Sequence, residues 1–281
     1  MKRIFSLLVI ALAAITLIGC SDKTYDLEKE TEIVIGLEAA YAPFNWTEVT
    51  ANDYTHPIAN QSGSYVDGYD VQVAKAIAAS LDKILVIKAI EWDGLIPALK
   101  SGEIDAIIAG MSPTSERAEQ ILFTSEYYRS EVVMVVKVGG SFDSATTLTD
   151  FDGSKVVAQR GTLYDDLIDQ ITNVNHQTPL DAYSNLVTAV SSGASDAFIA
   201  EYPVAVAVTA ANSNLKIIRF ADGDGFEALD EDITVAIGLR KNDTALADAI
   251  NTALASITET QRTTWMNEAN NRQEDWCKWV G

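Results

Sequence analysis

The sequence predicts an α/β fold of two similar lobes, and three observations carry that reading. Short β-branched runs alternate with segments of helical spacing, the mark of strands joined by crossover helices. The alternation restarts midway, after Gly139-Gly140. A small block also recurs: a short helix closed by serine and glycine, then a strand opening Asp-Ala. It stands at Ser101-Gly102 with Asp105-Ala106, and again at Ser192-Gly193 with Asp196-Ala197. A chain of 281 residues, 48% of them hydrophobic, is long enough to bury both cores.

The chain opens with Lys2 and Arg3 before an apolar run, Ile4 to Ile18, too short for a comfortable membrane span. The run ends in Leu17-Ile18-Gly19-Cys20, which resembles the bacterial lipobox. Residues 1–19 are therefore expected to be a lipoprotein signal peptide, with Cys20 the lipidated first residue. Residues 20–31 are polar and read as a tether. An acylated Cys20 leaves Cys277 without a disulfide partner.

Glu32 to Leu37 reads as the first buried strand. The cluster Glu38-Ala39-Ala40-Tyr41-Ala42-Pro43-Phe44 stands at its carboxyl end, where ligands bind in α/β sheets. A polar excursion runs to about Val66. A helix follows, with Val71, Ala74, Ile77, Ala78 and Leu81 on one face and Asp70 in its first turn. Lys83 to Ile90 is a second strand, with Trp92 at its end. Leu95 to Lys100 is a helix and Asp105 to Ala109 a third strand, so a parallel sheet is expected. The loop Gly110-Met111-Ser112-Pro113-Thr114-Ser115-Glu116-Arg117 sets backbone N–H groups and a guanidinium near one point, which suits a small carboxylate. Thr114 is expected to cap the helix carrying Arg117.

Phe123 to Tyr128 reads as a loop and Glu131 to Val138 as a long strand. After the restart, Lys155 to Gln159 is a strand and Arg160-Gly161-Thr162 a turn. Leu163 to Ile171 and Ser184 to Ser192 are helices, and Asp196 to Glu201 is a strand. Asp232 to Leu239 is a further strand, Thr244 to Ile257 a helix, and the rest a polar segment. Asp222-Gly223-Asp224-Gly225 reads as a turn, because Phe226 and Glu227 stand where a calcium loop needs an oxygen ligand and a glycine.

A formal charge of −20 argues against nucleic-acid binding. Two cysteines and two histidines without metal-ligand spacing give no metal or cofactor site, and no Ser/His/Asp constellation suggests an enzyme.

Several motifs, in order, resemble the solute-binding proteins of bacterial polar-amino-acid ABC transporters, extracellular solute-binding protein family 3. They are Tyr41-Ala42-Pro43-Phe44, Gly68-Tyr69-Asp70-Val71, Trp92 through Leu99, Gly102 through Ala106, Met111 through Thr114 with Arg117, Phe123-Thr124, Gly161-Thr162 and Gly238 through Lys241. The resemblance implies a periplasmic-binding-protein-like fold of type II, two α/β lobes joined by two hinge crossings. Lobe one is expected over 32–133 with 232–281 and lobe two over 138–228, with hinges at about 132–138 and 229–232.

It also implies residue roles. Arg117 would hold the ligand α-carboxylate, helped by Ser112 and by backbone N–H groups of Gly161, Thr162 and Leu163. A Gly110 carbonyl would meet the α-ammonium. Glu201 stands where the family usually has an aspartate for that ammonium. Tyr41 and Trp92 would wall the ligand side chain, with Glu38 and Gln159 at its far end. An acid beside two aromatics favours arginine or lysine, with glutamine, histidine or another polar amino acid as the alternative.

The implied partners are an amino-acid ligand, a permease and, through it, an ATPase. The expected protein is a monomer, lipid-anchored on the extracytoplasmic face of a Gram-positive membrane. The alternative of another class is a dehydratase-type cleft enzyme on the same fold.

Overall fold

The computed structural model describes residues 24–277, with side chains to residue 273. Residues 1–19, Cys20, the start of the tether and the side chain of Cys277 lie outside the described residues. In the first half the elements are β1 (Glu32–Leu37), β2 (Ala40–Tyr41), β3 (Asn45–Glu48), β4 (His56–Pro57), β5 (Tyr65–Asp67), α1 (Tyr69–Ser80), β6 (Ile84–Ala89), α2 (Leu95–Ser101), β7 (Ala106–Ile107), α3 (Ser115–Gln120) and β8 (Leu122–Arg129). The second set is β9 (Val132–Lys137), β10 (Lys155–Val157), α4 (Leu163–Leu167), β11 (Asn175–His176), α5 (Tyr183–Ser192), β12 (Ala197–Glu201), α6 (Tyr202–Ala211) and β13 (Leu215–Ile218). The chain then returns through β14 (Thr234–Leu239), α7 (Thr244–Ser256) and α8 (Glu259–Cys277).

Two five-stranded sheets form the two lobes, ordered β6-β1-β7-β14-β8 and β11-β10-β12-β9-β13. Each is parallel where a helix crosses over: β1 with β6 and β7, and β10 with β11 and β12. Neither is wholly parallel, because β14 and β9 run antiparallel to their neighbours. A strand that arrives from the other lobe needs no crossover helix and enters from the opposite end.

The recurring Asp-Ala block has a structural cause. Asp105 N–H donates to the Val34 carbonyl at 2.7 Å, and its carboxylate accepts from Val34 N–H at 3.1 Å. Asp196 does the same to Lys155, at 2.8 Å in both directions. In each lobe the aspartate pairs like one more strand residue and fixes register. Asp105 also meets the buried guanidinium of Arg240 at 3.2 Å, and that guanidinium pairs with Asp243 at 2.8 Å. Asp243 accepts from Tyr25 N–H, which ties the entering chain to lobe one.

Four expectations need correction. Phe123–Tyr128 is not a loop but most of β8, an edge strand on β14 with two register irregularities. Its exposed Ser125 and Glu126 hide the two-residue alternation. The polar excursion folds into a small sheet, β2-β3-β5-β4. The polar segment after α7 is the 19-residue helix α8, which buries Met266 and Ala269 against α1 and α6. Its Arg272 makes a two-pronged pair with buried Asp67 at 2.7 and 2.8 Å, and lies over the Tyr54 ring. Finally, Val132–Lys137 is not a crossing. It pairs with β12 and β13 and belongs to the second sheet, so the chain passes between lobes at Ser130-Glu131. That passage lies against the return: Ser130 N–H donates to the Ile233 carbonyl at 2.8 Å, and Glu131 pairs with Arg219.

Candidate functional site

Between the lobes lies a narrow cavity, at the carboxyl ends of β1, β7, β10 and β12. Lobe one lines it with Glu38, Tyr41, Trp92, Gly110, Ser112 and Arg117; lobe two supplies Gln159, Thr162, Leu163, Tyr164, Tyr183 and Glu201. Ten of the eleven expected ligand-binding residues thus meet around one space. The eleventh, Gly161, stands at its mouth. Its carbonyl accepts from Trp92 Nε1 at 3.1 Å and from Arg117 Nη2 at 3.2 Å, across the cleft.

Arg117 is positioned by its own loop. The Thr114 side chain caps α3 by accepting from Arg117 N–H at 3.4 Å. Arg117 Nη1 donates to the Ser112 carbonyl at 2.8 Å, and the guanidinium lies 5.2 Å from the Trp92 ring centroid. Burial pushes its pKa down from the usual arginine range. The group stays a cation with carbonyls and an aromatic face around it, and none of these carries a negative charge.

Gly110 makes the close approach that only glycine allows. Its φ is +62°, and a Cβ there would stand 2.8 Å from the Tyr41 ring. Its N–H donates to the Tyr127 hydroxyl at 3.1 Å. That hydroxyl donates to buried Asp70 at 2.7 Å, and Asp70 also accepts from Asn45 Nδ2 at 2.8 Å. This network supports the loop from below. Burial raises the Asp70 carboxyl to about 7, against the lowering effect of the Tyr127 and Asn45 hydrogen bonds.

Glu201 ends β12 and is buried rather than solvent-facing. Its Oε1 accepts from the Tyr41 hydroxyl of the other lobe at 2.8 Å. Burial raises its pKa to about 7; the Tyr41 and Tyr164 hydroxyls pull it back only in part. The Tyr183 ring is likewise buried. Its ring centroid lies 4.9 Å from that of Tyr41.

At the other side, Gln159 Nε2 donates to Glu38 Oε1 at 3.1 Å and to the Asp181 carbonyl at 3.1 Å. Burial raises the Glu38 carboxyl to about 7; the Gln159 hydrogen bond lowers it, and Glu91 and Asp93 raise it further. The site therefore has a fixed cation at one place and two incompletely neutralised acids, Glu201 buried and Glu38 half-buried. A buried carboxylate of this kind is stabilised by an incoming cation.

Tyr164 and Tyr183 are cavity residues that the sequence reading missed. Tyr164 is the second residue of α4 and Tyr183 the first of α5. Both follow segments leaving the carboxyl side of the second sheet, so the rule that selects Tyr41 and Trp92 selects them too.

The family model for bacterial extracellular solute-binding proteins, family 3, matches residues 33–269. The arginine-binding extracellular protein ArtP of Bacillus subtilis (strain 168) is 29% identical, over 92% of this chain and 93% of its own length. The ABC transporter glutamine-binding protein GlnH of the same organism is 28% identical, over 92% and 93%. Among solved structures, an ancestral arginine-binding protein bound to arginine superposes with a TM-score of 0.68 at 28% identity, covering 85% of this chain and 98% of that one. Two mixed α/β lobes, two crossings and a cleft lined from both sides accord with that likeness. The chain belongs to the bacterial extracellular solute-binding proteins of family 3.

Proposed function

We propose that this protein traps an L-amino acid with a cationic side chain, arginine or lysine, between its lobes and delivers it to an ABC permease coupled to an ATPase. Arg117 takes the α-carboxylate, with Ser112 and the N–H groups of Gly161, Thr162 and Leu163. Glu201, with the Gly110 carbonyl, takes the α-ammonium. Tyr41 and Trp92 flank the side chain, and its charged end reaches Glu38.

The observation that carries the choice of a cation is Glu38: a half-buried carboxylate whose hydrogen-bonding neighbour, Gln159, is neutral. The nearby charges that act on it, Glu91 and Asp93, are also acids. A neutral ligand end would leave that charge uncompensated. Family relatives named for arginine and for glutamine are both similar to this chain, so Glu38 is the residue to test. Replacing it by glutamine is expected to weaken arginine binding by about tenfold to a hundredfold and to leave glutamine binding within a few fold. Equal losses for both ligands, read by calorimetry, would remove Glu38 from the specificity pocket.

Closure follows from the charge pattern. Arg117 and Glu201 stand on different lobes, and a zwitterion gives each its counter-charge only when the lobes meet. The hinges are then Ser130-Glu131 and the return segment around 219–233. A lipid on Cys20 would keep the protein at the outer membrane face beside the permease. No catalytic role is proposed: the acids of the cavity are matched by the charges of an amino acid, not by a nucleophile and base.

A further inference from the structure

Four consecutive residues of the return crossing bind two different partners. Asp230 pairs with Arg129 at 3.1 Å, and the Ile233 carbonyl accepts from Ser130 N–H at 2.8 Å. These two contacts hold the first crossing. The two residues between them turn instead to the loop that carries Ser112 and Arg117. Glu231 Oε1 accepts from the Ser115 hydroxyl at 2.7 Å and from Ser115 N–H at 3.0 Å. The Asp232 carbonyl accepts from the Ser112 hydroxyl at 3.3 Å. The segment is itself a closed turn: Leu229 N–H donates to the Asp232 carboxylate at 2.8 Å, and Asp232 N–H to the Leu229 carbonyl at 2.9 Å.

Ser115 is the first residue of α3, and Arg117 stands in that helix's first turn. A helix leaves its first N–H groups without partners of its own. Here Thr114 takes the Arg117 N–H from within the loop, and Glu231 takes the Ser115 N–H from the hinge, 116 residues away. With six residues α3 has a short hydrogen-bond ladder, so its orientation depends on what holds its ends. A tilt of α3 moves the guanidinium relative to the Ser112 carbonyl, to which Arg117 Nη1 donates at 2.8 Å.

Ser112 makes the second link. A hydroxyl has one proton to give, and here it goes to the Asp232 carbonyl. A ligand carboxylate at Arg117 is the stronger, charged acceptor. Taking that proton frees the crossing on this side.

We propose that Glu231 is a positioning residue for Arg117, and that through Glu231 and Ser112 the hinge responds to the α-carboxylate of the ligand. The inference rests on the function proposed above. Glu231 does not line the inner cavity and acts through α3. Its loss is therefore felt at the carboxylate end of a ligand and not at the rest.

The test is a cycle in which one change is made in the protein and one in the ligand. Wild type, E231A and E231Q are titrated calorimetrically with L-arginine and L-argininamide, and with L-glutamine and its α-carboxamide, the weaker carboxamides by displacement. Each pair differs only at the group that Arg117 holds. E231A should weaken both amino acids about fivefold, the scale of one lost helix cap, and leave both carboxamides within about twofold. E231Q keeps a side-chain oxygen for Ser115 and should restore most of the loss. S115A deletes one of the two donors and should show a smaller loss with the same selectivity. D230A breaks the neighbouring contact to the first crossing and should leave the ratio of carboxylate to carboxamide affinity as in wild type. Melting temperatures confirm each fold, and S115A carries the comparison if E231A lowers its own.

Equal losses for carboxylate and carboxamide, no loss in E231A, or the same selective loss in D230A would overturn the inference while leaving the transport reading intact. Failure of both amino acids to bind the wild type would overturn both.

Discussion

Replacing Arg117 by alanine is expected to cost about 2–5 kcal/mol of ligand affinity, which is at least thirtyfold and up to several thousandfold. The size follows from what the change leaves behind. The ligand carboxylate would enter a cleft whose other charged walls, Glu38 and Glu201, are acids. Truncation therefore removes an attraction and leaves repulsion. Lysine is not expected to rescue it. Arg117 divides its fork between the Ser112 carbonyl and the Gly161 carbonyl across the cleft while lying over Trp92. A single ammonium cannot reproduce that planar arrangement. Titration calorimetry measures the loss, and the melting temperature of the ligand-free variant separates it from a folding defect. Binding at wild-type strength would place the carboxylate elsewhere.

The second large effect is with pH, and it has opposite signs for the empty and the loaded protein. Glu38, Asp70 and Glu201 each have a folded-state pKa near 7, raised by burial from ordinary values of 4.5, 3.8 and 4.5. Between those ordinary values and 7 the folded state holds protons that the unfolded state has released. Stability of the ligand-free protein should thus fall as pH rises through that window, by about 1.4 kcal/mol per pH unit for each carboxyl. This is the reverse of a protein held by paired carboxylates.

Ligand affinity should move the other way. The α-ammonium and the cationic side chain need Glu201 and Glu38 ionised. Below pH 7 arginine affinity should therefore fall by up to about tenfold per unit for each of the two carboxyls. Glutamine should follow only the Glu201 part, so its pH slope should be half as steep. Thermal melts and calorimetric titrations from pH 5 to 8 read both trends. Parallel trends, or equal slopes for the two ligands, would contradict the assignment of Glu38 to the side-chain end.

Much of this was legible because the relevant signals are local. Glycine at 110 followed by serine at 112 and arginine at 117 describes a close-approach loop with a guanidinium. The Asp-Ala repeats at 105 and 196 mark the same register device in both lobes. Residues at carboxyl ends of strands, such as Glu38, Tyr41, Trp92 and Glu201, are those the sheet geometry gathers at the cleft. What was not legible depends on partners distant in sequence. β8 is a strand only because β14, over a hundred residues later, lies beside it. The helix α8 is mostly polar, with Met266 and Ala269 buried, and Arg272 reaching Asp67, 205 residues away. The Glu201–Tyr41 bond spans 160 residues and both lobes. Sequence alone places an acid there without telling whether water or a phenol surrounds it.

The cleft is expected to hold one amino acid, its α-carboxylate on Arg117, its α-ammonium on Glu201 and its side chain toward Glu38. The most direct test is a calorimetric titration of the purified wild-type protein with each of the twenty amino acids at pH 8, where both acids are ionised. The prediction is one-to-one binding at micromolar concentration or tighter, with L-arginine or L-lysine the tightest and aspartate and glutamate without measurable binding. No binding by any amino acid, or tightest binding by an acidic one, would contradict it.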